Sequence, residues 1–156
     1  MPLAWPLLLV LTGAALTGAE PLVWTTDALV KIRPDSLPPL GTQTMTLDLC
    51  RGETGSLQMA VRAAEQGLAR AVILPFALRL GGHRIRVESA AIFRQHHVQI
   101  AVPSGNADRT PGAWPDALIP QPYVRDHAVP AGRTAAWWVD LAVPPDAPPG
   151  RYTGDA

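Results

Sequence analysis

This sequence is short of cysteine, lysine and aromatic residues: it has one Cys, one Lys beside twelve Arg, five Trp, two Tyr and two Phe in 156 residues. With Cys50 alone no intramolecular disulfide can form, so the fold must rest on its core. At the end of the run 45–50, Cys50 reads as a small buried hydrophobe; adjacent Arg51 points the other way on a strand and does not activate it. Acidic and basic residues balance at thirteen each, and no basic run is present. That argues against nucleic acid as a partner. Beyond the first nineteen residues no window carries an i, i+3, i+4 apolar stripe over three turns, and the alanine-rich stretch 60–71 is interrupted by Gly67. There is no glycine-rich phosphate loop, no nucleophile elbow and no Ser, His and Asp in catalytic order. His96 and His97 are adjacent and expected on opposite faces of a strand, and His83 and His127 lack ligand spacing. No cofactor or metal is expected.

The first nineteen residues hold no charged side chain; Leu7 to Leu11 are apolar without interruption and Thr17-Gly18-Ala19 offers a small-x-small signal. This predicts a signal peptide over 1–19, cleaved before Glu20, and a secreted or periplasmic product with no membrane attachment afterwards. The apolar stretch is shorter than the roughly 20 residues that cross a bilayer, and no basic flank follows it. Residues 20–156 fit one domain.

What the chain has in quantity is alternation. Met45, Leu47 and Leu49 alternate with Thr44, Thr46 and Asp48; Leu57, Met59 and Val61 alternate with Ser56, Gln58 and Arg62; Val72, Leu74, Phe76, Leu78 and Leu80 are all apolar. Pro75 predicts an edge or a bulge in that last run. Gly81-Gly82 then predicts a tight turn into a return strand, with Ile85 and Val87 inward and Arg84 and Arg86 outward. Ile92, Val98, Ile100 and Val102 share a face, as do Trp137, Val139, Leu141 and Val143 before the proline-rich turn 144–150. About seven short strands at roughly ten-residue spacing predict an all-β fold: a two-sheet, mainly antiparallel β-sandwich, immunoglobulin- or fibronectin-like.

Residues 103–133 break the pattern with six prolines and read as a long loop, the best candidate for an interaction surface. Within it, Trp114, Asp116 and Tyr123 are the candidate site residues. An aromatic ring beside a carboxylate suits a sugar, while Pro115-Asp116 also suits an Asx-turn with Trp114 sealing the loop against the sandwich or against a following domain. Docking is the favoured reading of the two. Glu53 beside Arg51 reads as a rim charge pair, since general acid work needs a second carboxylate.

Three motifs carry a family resemblance: RGETGSLQ from Arg51, GAWPDALIP from Gly112, and the ending from Trp137 through the Pro144–Gly150 turn to Tyr152, Thr153 and Gly154. In this order they resemble the N-terminal β-sandwich of glycoside hydrolase family 123 and of related bacterial proteins with a family-123-like barrel. The resemblance implies a sandwich followed by a catalytic barrel whose adjacent Asp-Glu pair hydrolyses N-acetylgalactosaminides with help from the substrate's acetamido group. No adjacent Asp-Glu pair occurs in this sequence, so no catalytic residue carries over. Because Tyr152-Thr153 restarts strand composition within six residues of the sequence end, the chain is expected to be the front of a longer protein, its domain incomplete at the C-terminus and its partner a downstream barrel. The alternative is a free-standing extracellular module that binds glycan or acts in adhesion.

Overall fold

The computed structural model describes residues 9–12, 19–40, 45–102 and 110–154, the first of these as backbone. Thr17-Gly18, Thr44 and residues 103–109 lie outside the described residues. The chain is all-β. Its strands are β1 Leu9–Thr12, β2 Leu22–Asp27, β3 Thr54–Arg62, β4 Arg70–Ile73, β5 Phe76–Leu80, β6 His83–Val87, β7 Ile92–Ile100, β8 Gly112–Pro120 and β9 Thr134–Ala142, with two three-residue 3-10 turns as the described helical structure. Every strand pair is antiparallel.

Five strands form the main sheet in the order β2-β3-β9-β7-β8. The β5–β6 hairpin packs on one face of it, with β6 over β9. This layer closes the main core, in which Met59, Val61, Ile73, Ile85, Val87, Ile92, Trp137, Val139 and Leu141 are buried. The expected alternation of Met59, Val61, Trp137, Val139 and Leu141 is realised there. The other face is covered by the irregular segment 28–40, whose Ile32 packs with Trp24, Ala60 and Ala136. Enclosing Trp24 and Ile32 contributes about 2 kcal/mol each. With both faces covered, the centres of β3 and β9 lose their polar side: Gln58 to Val61 and Thr134 to Trp137 are continuously buried.

Four expectations are corrected. The apolar run 72–80 is two strands, because Pro75 cannot donate to a ladder and the chain changes partners there. β4 pairs with β1 and β5 with β6; Val72 is buried, Leu74 is 36% exposed, and Phe76 and Leu78 are half-buried. Residues 45–50 form no strand ladder, although their burial alternates as expected, with Met45, Leu47 and Leu49 half-buried and Thr46 exposed. Cys50 falls on the outer parity of that run and is exposed. Val102 lies beyond the end of β7 and is 86% exposed.

The Gly81-Gly82 hairpin is as expected, with Leu80 paired to His83 across a two-residue turn in which Gly81 has φ 56°. Arg84 and Arg86 are exposed beside buried Ile85 and Val87.

Candidate functional site

The proline-rich segment that reads as a long loop contains β8, an edge strand paired with β7. An edge needs only one side of its ladder, so it tolerates proline. Pro115 sits beside a bulge where Asp116 and Ala117 together face His96. Asp116, Ala117 and Leu118 are exposed on this outer edge. Tyr123 is 75% exposed in the 3-10 turn that follows.

The three candidate site residues are not gathered into one subsite. From Trp114 to Pro120 the strand covers about 20 Å before Tyr123 is reached, several times the width of a pyranose. Trp114 is also engaged: the Arg33 guanidinium lies 4.6 Å from its ring centroid, and its Nε1 donates to the Thr110 carbonyl at 3.0 Å. Arg33 is in turn near Asp35, at 3.8 Å. Thus Trp114 ties the covering segment 28–40 to the sheet edge, and Asp116, Leu118 and Tyr123 remain as the outward surface.

Beneath that covering segment lies a buried polar network that the sequence reading missed. The Gln58 Nε2 donates to the Asp27 and Val30 carbonyls at 2.6 and 2.8 Å. The Gln95 amide donates to the Gln58 Oε1. His97 shares a hydrogen bond of 3.0 Å with the Ile32 carbonyl, and burial lowers its pKa despite that contact. His96 is exposed, so the two rings have opposite environments. Thr134 extends the tether, its N–H donating to the Pro34 carbonyl and its hydroxyl to that of Ser36. These side chains hold an irregular segment in place.

The motif residues at the far end are joints as well. Glu53 makes no ion pair with Arg51; its carboxylate accepts from the Cys50 N–H at 2.6 Å and closes the turn in which Gly52 has φ 79°. The rim-pair reading of Glu53 is therefore replaced by a cap. The Glu53 carbonyl accepts from Val143 N–H, and the Val143 carbonyl from Gly52 N–H. Past the proline turn, Tyr152 donates its hydroxyl to the Pro148 carbonyl at 3.1 Å. Thr153 forms a two-bond bridge with Arg79, at 2.8 and 3.0 Å, on the open edge of β5. The segments 45–51 and 147–153 flank an apolar cleft of about 920 Å³ floored by Leu57, Leu78, Ile85 and Leu141.

A fourth cluster sits on the main-core face. Arg94 of β7 stands opposite Trp137 of β9, with its guanidinium carbon 4.6 Å from the indole centroid. Burial lowers the pKa of Arg94, with the charge of Asp126 opposing; burial and then Arg70 and Arg94 lower that of His127. The signal for Arg94 was its parity: it shares the face of Ile92, Val98 and Ile100, where a charge is out of place. Among the described residues no three His, Cys, Asp or Glu side chains gather as metal ligands. No helix of the described residues is long and apolar enough to cross a membrane. No family model matches the sequence, and comparison with curated proteins returned no match.

Proposed function

We propose that the chain is a non-catalytic β-sandwich that supports a glycoside hydrolase barrel lying further along the same polypeptide, as its resemblance to the N-terminal domain of family 123 implies. The observation that carries this reading is the bridge between Thr153 and Arg79. Through it the segment after the proline turn begins a third strand beside β5, and a sequence continuing in that direction leaves the domain along the wall of the apolar cleft. The motif residues fit the same role. Glu53 caps a turn, Gln58 tethers the covering segment, and Tyr152 and Thr153 anchor the outgoing chain. None of them is placed as one of a carboxylate pair for glycoside hydrolysis. A sugar-binding role for Trp114, Asp116 and Tyr123 is less favoured, because Arg33 stacks on the Trp114 ring and Tyr123 is remote from it.

Hydrogen exchange tests the proposal. The polypeptide translated from the complete gene is compared with the 156-residue chain, at the outward amides of β8 and at those of 45–51 and 147–153. Slower exchange in the longer polypeptide at either surface supports a covering domain. Equal rates at all three segments refute it.

A further inference from the structure

We propose that Trp138, Phe93 and Asp140, on the sheet face beyond the covering segment 28–40, form a binding site for a guanidinium cation such as an arginine side chain. Among the described residues, the hydrogen bonds that tether the covering segment reach no further than the row in which Gln58 of β3 pairs with Trp138 of β9. In that row Phe93 of β7 stands on the other side of Trp138, so the two aromatic side chains are cross-strand neighbours. One step further along the strands Ser56 pairs with Asp140. Trp138, Phe93, Ser56 and Asp140 are all half-buried, and Ala142 at the end of β9 is exposed, so solvent reaches this end of the face.

The carboxylate is fixed in position with capacity to spare. Its Oδ1 accepts from the Ser56 hydroxyl at 2.6 Å and from the Trp138 Nε1 at 2.8 Å, while among the described residues Oδ2 accepts from no donor and Asp140 makes no ion pair. Both nearby donors, the Ser56 hydroxyl and the indole N–H, are thereby spent on Asp140. What remains is acceptor capacity, negative charge and aromatic surface. A sugar hydroxyl brings lone pairs that need donors of their own, whereas a guanidinium carries N–H groups alone. Its plane stacks on an indole while its edge donates to a carboxylate, a combination an ammonium point charge does not match. The chain already uses this arrangement internally: Arg33 lies 4.6 Å from the Trp114 centroid with Asp35 at 3.8 Å, and Arg94 lies 4.6 Å from the Trp137 centroid. Among the described residues no cation lies over Trp138, although a carboxylate is bonded to its edge.

The test is an NMR titration of the folded chain at constant ionic strength, following the Trp138 indole N–H and the Phe93 ring. The probes are ethylguanidinium chloride, its neutral isostere ethylurea, N-acetylarginine amide and methyl glucoside. Saturable shifts with ethylguanidinium, with a Kd on the order of 10 mM for one exposed cation–π contact and one ion pair, are the expected result. Tighter binding of N-acetylarginine amide assigns an arginine side chain within a polypeptide, and equal binding assigns the guanidinium head alone. Asp140→Asn keeps an acceptor for Ser56 and Trp138 but removes the charge, and should weaken binding about fivefold. Phe93→Leu should weaken it as well while leaving Asp140 in place. Ethylurea or methyl glucoside binding as tightly as ethylguanidinium, no saturation with either guanidinium probe, or unchanged affinity in Asp140→Asn would overturn the proposal.

Discussion

Gln58 shows how much one side chain can hold. Its amide occupies the two carbonyls of the β2 exit and receives Gln95 in the same buried network. Gln58→Ala strands all three groups, and we expect a loss of about 2–3 kcal/mol in urea-denaturation midpoints. Its place in RGETGSLQ marks it in the sequence, yet alternation alone puts it on the solvent side with Ser56 and Arg62. It is buried because an irregular segment, which has no period to read, covers that face. His97 lies in the same layer, with its pKa lowered by burial against the Ile32 hydrogen bond. A folded pKa below the unfolded value of about 6.5 gives stability that is full above that pH and is lost as pH falls towards the folded pKa. His127 shifts in the same direction. Melting temperatures should therefore drop from pH 7.5 to about 5, and His97→Asn should flatten that drop.

At the scale of elements, the strands with clear alternation, β3, β5, β6, β7 and β9, were legible, and strand partnership was not. The β5–β6 hairpin could be read from Gly81-Gly82 because its register is local. The fate of residues 72–80 depends on which edges are free in three dimensions, and Pro75 signals an interruption without saying where the chain goes. Prolines made β8 look like a loop, since a sequence does not say which strand will be at an edge. The ending after β9 was better marked. A Cβ built on Gly154 would lie 2.9 Å from the Ala77 carbonyl oxygen and 2.7 Å from Leu78 Cδ2, and Gly150 at φ 149° packs on Leu80. Gly154→Ala should lift Thr153 off β5, lower stability by about 1–3 kcal/mol, and speed exchange at the Arg79 amide. Retention of that protection would show that the bridge does not depend on the close approach.

The whole molecule raises the question of its leader. β1, within residues 1–19, pairs with β4 through Val10 and Val72; we propose that these residues are nonetheless removed as a leader. N-terminal sequencing of the mature protein should find Glu20 within about two residues. An intact Met1 in a cytosolic fraction would exclude processing. If residues 1–19 are removed, β4 loses its strand partner among the described residues and leaves a further open edge, short and begun by a charged Arg70, which limits its tendency to pair with other chains.

The position of β9 in the sheet has a temporal consequence. β3 and β7 flank it on either side, and the pairing of Ser56 with Asp140 joins residues 84 apart. A ribosome delivers the chain from its N-terminus, so the strand that unites the sheet is the last described strand to emerge. Until residues 134–142 are available, β2–β3 and β7–β8 are separate ribbons with nothing between them, and neither half of the main core can close around Trp137. The central β9 thus acts as a keystone, and the two ribbons stay unjoined until it has been made. Closure then follows in a late, long-range step of the kind that proceeds over about milliseconds to seconds.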